Sequence, residues 1–297
     1  MERLRHDDPP QIGPYVTLAR FDTEDTAGTV PDRRYIARSA DGDRTVIVSI
    51  PRIGVGPSRW AVEAEEARRF SIPGLLPVAE VGGTAGFPWQ AAPYVPALPL
   101  TVVLTAKGGL LPESAVRSLG AALAQTLVTA HAQGVTHAGL SPSAVLLTAD
   151  GPRLACFGAI RAAAPDGEQR AGLPGLDPGS LAPEQAQGGR PRPLGDVYAL
   201  GAVLSYASTG HTVPERAELP LSLRGLVTAC LARDPAVRPH AHQILAALTS
   251  SATTAIPQVT VLDSAAPFSL PARVVAALAR QSADVLAAEL PIPTALY

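Results

Sequence analysis

HAGLSPSAVLL at residues 137–147, followed nine residues later by Cys156-Phe157-Gly158, decides the fold of this 297-residue chain. A loop punctuated by Gly139 and Pro142 runs into the apolar string 144–148, and Asp150-Gly151 turns the chain into a second string at 153–157. An Asp-Gly pair supplies the positive φ that a tight reversal needs, so two short paired strands are predicted there. Beyond them, 158–180 is rich in Gly, Pro and Ala without periodicity and reads as a loop. Helices are predicted over 195–208, 221–232 and 241–249. Residues 250–267 read as a linker with a candidate strand at 258–262. A last helix over 271–290 opens on Pro271 and places Val275, Leu278 and Val285 on one side.

On the N-terminal side the pattern is β-like. Strands are predicted at 15–21, 34–39 and 45–50, the last two joined by Asp41-Gly42, and again at 76–81 and 89–95. A helix over 58–70 ends on Arg68 and Arg69, which suit its negative C-terminal dipole. Val116, Leu119, Leu123, Leu127 and Ala130 fall three and four apart, predicting a buried helix over 112–132. Residues 1–11, broken by Pro9-Pro10, are expected to be a mobile lead-in. The resulting plan is a small β-rich lobe with one helix (about 12–95), a hinge near 92–97, a larger helical lobe (about 96–250) and an extension (251–297). The fold class expected is α+β with two lobes.

Composition narrows the function classes. A formal net charge of -2 and a pI near 6.3 argue against a nucleic-acid partner. Lys107 is the only lysine among 24 Lys and Arg, a bias that suggests a high-GC bacterial genome. Cys156 and Cys230 make no disulfide framework, which suits a reducing cytoplasm. The N-terminus has no signal-peptide core and no apolar run is long enough for a membrane span.

The two opening stretches resemble the catalytic loop and metal-binding turn of the bacterial Hanks-type serine/threonine protein kinases, whose pattern is HRDxKPxN followed by DFG. Further motifs match in order: Ala182-Pro183-Glu184 resembles APE, Asp196-Val197-Tyr198 resembles the start of the central C-lobe helix, and CLARDPAVRP at 230–239 resembles the signature whose arginine, here Arg238, pairs with the APE glutamate. Glu63 falls at the glutamate of the N-lobe helix, and Pro93 and Val95 fall where the hinge meets adenine. The resemblance covers roughly 12–250 and implies a two-lobe kinase-like fold of actinobacterial type.

It also implies positions for chemistry, and these depart from the pattern. The phosphate-holding lysine of the third strand is Ser49, the base is Gly139, the loop lysine is Ser141, and the metal ligands are Ala144 and Cys156. Magnesium wants carboxylate oxygens, which neither alanine nor a thiol supplies. General acid–base help is typically worth ~10²–10⁴-fold, so losing base, ligands and lysine together predicts a pseudokinase rather than an enzyme. The phosphate-covering stretch 21–28 holds one glycine and three carboxylates, Asp22, Glu24 and Asp25, and reads as a solvated acidic hairpin tip hostile to Mg–ATP.

His137, Phe157, Gly158, Glu184, Asp196 and Arg238 are expected to hold the fold, with His137 making a structural hydrogen bond. Glu63, without a lysine partner, reads as a solvated helix glutamate. His240 and His242 are expected to diverge on a helix and share no metal. No cofactor and no metal are expected. The expected role is a cytoplasmic regulatory or scaffolding module for a protein partner, such as an active kinase or its substrate. The alternatives are a nucleotide sensor using Pro93 and Val95, or a transferase with rearranged chemistry.

Overall fold

Alternation of buried and half-buried positions along Tyr15–Arg20 is the clearest period-two signal in the chain, and it forms the second strand of a six-stranded antiparallel sheet. The structure, a computed structural model, describes residues 2–23, 28–84, 86–107, 109–250 and 270–290. Strands β1 (Gln11–Ile12), β2 (Tyr15–Arg20), β3 (Asp32–Ser39), β4 (Thr45–Pro51), β5 (Glu80–Thr84) and β6 (Phe87–Pro93) run in the spatial order β1-β2-β3-β4-β6-β5. Gly42, at φ 85°, makes the turn between β3 and β4. Helix α1 (Pro57–Arg68) starts on proline, buries Trp60 and Ala64 against the sheet, and completes the small lobe.

The chain then passes through β7 (Ala97–Pro99) into α2 (Leu100–Lys107) and the long α3 (Glu113–Ala132). Val116, Leu119, Leu123 and Leu127 of α3 are fully buried in the large-lobe core. Strand β8 (Val145–Thr148) pairs with β7 and β9 (Gly151–Leu154) in a second small sheet. Then come α4 (Ala159–Ala163), α5 (Pro183–Ala186), α6 (Pro193–Thr209), α7 (Leu221–Cys230), α8 (Ala241–Ser250) and α9 (Ala272–Ala287). Gly210, at φ 82°, ends α6 in the left-handed conformation. The architecture is α+β with two lobes, a six-stranded antiparallel sheet with one helix and a larger helical lobe, as expected.

Several elements differ from the expectations. The lead-in is packed: Asp8 is buried and accepts hydrogen bonds from Arg20, Arg33 and Tyr35. The strand expected at 76–81 forms later, at β5, because Leu76 N–H instead bonds the Leu154 carbonyl (2.8 Å) beside the second sheet. The expected loop over 158–180 contains α4, and α2 was not foreseen at all. His240 and His242 stack at 5.7 Å instead of diverging, since His240 precedes α8. The candidate strand at 258–262 lies outside the described residues.

Candidate functional site: the cleft between the lobes

Position 49 lies on β4, paired across the sheet with Arg34 of β3. Ser49 is buried and short, and Arg34 fills the space beside it. The Arg34 guanidinium makes an ion pair with Asp22. It also donates to the Ser143 carbonyl (3.3 Å) and approaches the Cys156 sulfur (3.9 Å). Burial alone would lower the Arg34 pKa, but Asp22 and Cys156 outweigh it and hold the cation charged. The Arg34 side chain stacks on Phe21 at 5.1 Å. Asp22 is therefore a buried latch and not part of a solvated acidic tip; Glu24 and Asp25 lie outside the described residues. No feature of the sequence distinguished Arg34 from the other surface-compatible arginines except its place opposite Ser49.

On the C-lobe side Cys156 is 7% exposed and sits at φ 61°, a left-handed conformation uncommon for a side-chain-bearing residue. Burial pushes its thiol well above the usual range, with Arg34 opposing. Gly139 approaches so closely that an added Cβ would stand 1.9 Å from the Cys156 carbonyl oxygen. Ser141 caps the 3-10 turn at Pro142–Ala144 by accepting from Ala144 N–H (3.3 Å), and Ala144 is buried in the interlobe cluster. Between Ser49 and Cys156 the remaining cavity measures about 40 Å³. Small-molecule sites usually occupy ~300–1,000 Å³, so this part of the cleft is filled. Among the described residues no group of three His, Cys, Asp or Glu side chains could hold a metal ion.

The framework residues are tied together. Asp196 accepts from the backbone N–H groups of His137 and Ala138 (both 2.8 Å) and from His131 Nε2 (2.9 Å). The His137 ring packs edge-on against Phe157 at 6.0 Å, and burial lowers its pKa to about 4. Its backbone N–H makes the structural bond to Asp196. Glu63 is not solvated: Arg161 of α4 reaches it at 2.7 Å, stacks on Phe157 at 4.9 Å and takes the place of a strand lysine. Gly158, at φ 74°, lies against Glu63 with no room for a side chain. Arg238 donates twice to Glu184 (2.7 and 2.8 Å) and to the Leu194 carbonyl, and stacks on Tyr198. Arg170, fully buried, clamps the segment after Gly158 through Asp166 and the Ala164 and Gly189 carbonyls. Sequence reading missed it because an isolated arginine in a loop carries no periodic signal.

At the hinge, Pro93 pairs with Val46, and the exposed Val95 lines a cavity with Ile72, Leu75 and Ala97. Nearby, Ala97 N–H donates to Gln281 Oε1 at 2.9 Å.

No protein-family model matches the chain. A Thermomonospora curvata protein named "Probable serine/threonine-protein kinase PkwA" is 33% identical over 274 residues, which is 85% of this chain and 36% of that protein. The serine/threonine-protein kinase AfsK of Streptomyces griseus is 33% identical over 264 residues, 80% of this chain and 32% of its own length. This domain belongs to the bacterial serine/threonine protein kinase family. The fold agrees: the kinase domain of Mycobacterium tuberculosis PknI superposes with a TM-score of 0.62 at 22% identity, covering 81% of this chain and 96% of that domain. The chain spans about a third of the length of the curated relatives it matches. These relatives correct the expectation that the chain is not an enzyme: homologues 32–33% identical over the aligned stretch are named serine/threonine-protein kinases, and they point to an enzyme. Among the described residues no helix is long and apolar enough to cross a membrane.

Proposed function

We propose that this kinase-family domain serves as a regulatory module that acts through contact with a protein partner. One observation carries the reading: the buried polar groups on the phosphate side of the cleft are bonded to one another, Arg34 to Asp22 and to the Ser143 carbonyl, with about 40 Å³ left beside Ser49. A buried cation already matched by a carboxylate has little to offer an incoming anion. A cross-linking experiment in the cell of origin, read by mass spectrometry, is expected to recover protein partners joined near the cleft mouth. Adding the purified chain should then change the partner's own phosphorylation rate at least ~3-fold. Recovery of no partner, or a partner whose phosphorylation rate the chain leaves unchanged, would overturn the reading.

A second reading, phosphoryl transfer with rearranged groups, is favoured by the position of Arg34. It brings a positive charge from the neighbouring strand to the site beside Ser49, where a phosphate-binding cation is missing. The names of the relatives support it as well. Under this reading ATP-dependent labelling is present in the wild-type chain and lost in Arg34→Ala, while Cys156→Ala leaves it unchanged.

A further inference from the structure

Helix α9 crosses from the large lobe to the small one, and the residues it buries are spaced four, three and four apart: Val274, Leu278, Gln281 and Val285. Val274 and Leu278 join the large-lobe core. Val285, 3% exposed, joins a different cluster, which includes Phe21, Val30, Ile36 and Ile47 of the small lobe and Leu146 and Ala155 of the large one. Beside it Gln281, 4% exposed, presents its carboxamide oxygen to Ala97 N–H. The helix end is held from the small lobe: Arg38 donates to the carbonyls of Val285 (2.5 Å) and Ala288 (2.8 Å), groups that α9 itself leaves without partners.

The seat is an imperfect one. Among the described residues Gln281 Nε2 is buried without a partner, as is the nearby Tyr94 hydroxyl, and a buried donor left unmatched weakens the state that buries it. A permanent core position spaced like Gln281 would be better filled by an aliphatic side chain. With α9 removed, this place would present apolar residues of both lobes and the Ala97 N–H that Gln281 now occupies. That set suits a flat, uncharged ring with an acceptor on its edge, and the Gln281 carboxamide and Val285 together imitate one.

We propose that α9 is a releasable plug of the hinge-side pocket, and that the helix and a planar heterocycle bearing an edge acceptor exclude one another there. Release would also bare the stripe Val274, Leu278 and Val285. The plug belongs to the hinge side and does not depend on which chemistry the phosphate side performs.

The test uses the full chain, adenosine as the probe and Val285→Glu, which places a charge in the apolar cluster. Hydrogen exchange over 272–287 is expected to quicken at least ~10-fold while α6 stays protected, and calorimetric titration is expected to show adenosine binding at least ~10-fold tighter than to the wild-type chain. Unchanged exchange over α9 overturns the plug. So does a freed helix with adenosine affinity equal to the wild-type value, including no binding to either. Should Val285→Glu unmask α6 as well, Gln281→Ala decides by the same two readouts, with shifts of at least ~3-fold expected and none overturning the proposal.

Discussion

Asp22 and Arg34 stabilise each other inside the cleft, so their removal is expected to be unequal. Asp22→Ala strands a buried guanidinium and should cost ~3–5 kcal/mol, whereas Asp22→Ala combined with Arg34→Met replaces the pair by apolar groups and should recover most of it. Urea denaturation of the single and double variants measures this; a double variant no more stable than Asp22→Ala would refute the latch. A second residue-scale prediction concerns pH. Burial raises the Asp32 carboxyl to about 6 even though Trp60 Nε1 donates to it, so its contribution is complete below ~pH 4 and is lost as pH rises through 6. His137 is lowered by burial to about 4, so its contribution is present above ~pH 6.5 and is lost as pH falls toward 4. Between pH 4 and 6 the two oppose each other. Asp32→Asn keeps an acceptor for Trp60, removes one side, and should make stability rise with pH by up to ~1.4 kcal/mol per unit in that window. A flat profile for Asp32→Asn would contradict it.

At the scale of elements, the loop that joins β8 to its upstream turn is shaped around the absence of a side chain. A Cβ at 139 would lie 1.9 Å from the Cys156 carbonyl and 3.0 Å from Ala159 Cβ. Gly139→Asp, which would restore the family's acidic residue, is expected to destabilise the domain by at least ~1–3 kcal/mol through overpacking and to leave any labelling by ATP no higher than wild type. Thermal melting and a labelled-ATP assay check the two halves. The same elements show what the sequence could tell. Helix α3, the β3–β4 hairpin and the order of motifs were legible because period and turn chemistry are local. Helix α9 was found, but its buried face was assigned to Val275 instead of Val274, which turned a cleft-filling stripe into an ordinary amphipathic one. Gln281 in that stripe was the available clue: a polar residue in an apolar seam marks a specific partner. Ser49, Gly139, Ala144 and Cys156 were located by motif alone, while Arg34, Arg161 and Arg170 were not, since their partners lie 98 residues away for Arg161 and across strands or carbonyls for the others.

For the whole molecule, ties that cross between the lobes include Arg34 to Ser143, Leu76 and Gly74 to Leu154, Arg161 and Glu63 together with Arg59 to the Ala162 and Ala163 carbonyls, and α9 with Arg38. Lobes joined this way are expected to melt in a single cooperative transition, with calorimetric and van't Hoff enthalpies agreeing. Two resolved transitions in wild-type protein would show that these contacts do not couple the lobes. Glu63→Ala together with Arg38→Ala should broaden or split the transition, because it cuts one tie on each side of the hinge.

The molecule also carries its own gauge of such motion. The Cys156 thiol is masked by the lobes and held protonated by burial, while Cys230 is shut away in the large-lobe core. Alkylating reagents can reach the first only when the halves part, and the second only when the core itself comes undone. The ratio of the two labelling speeds therefore reports how often this protein breathes at its midline without losing its fold.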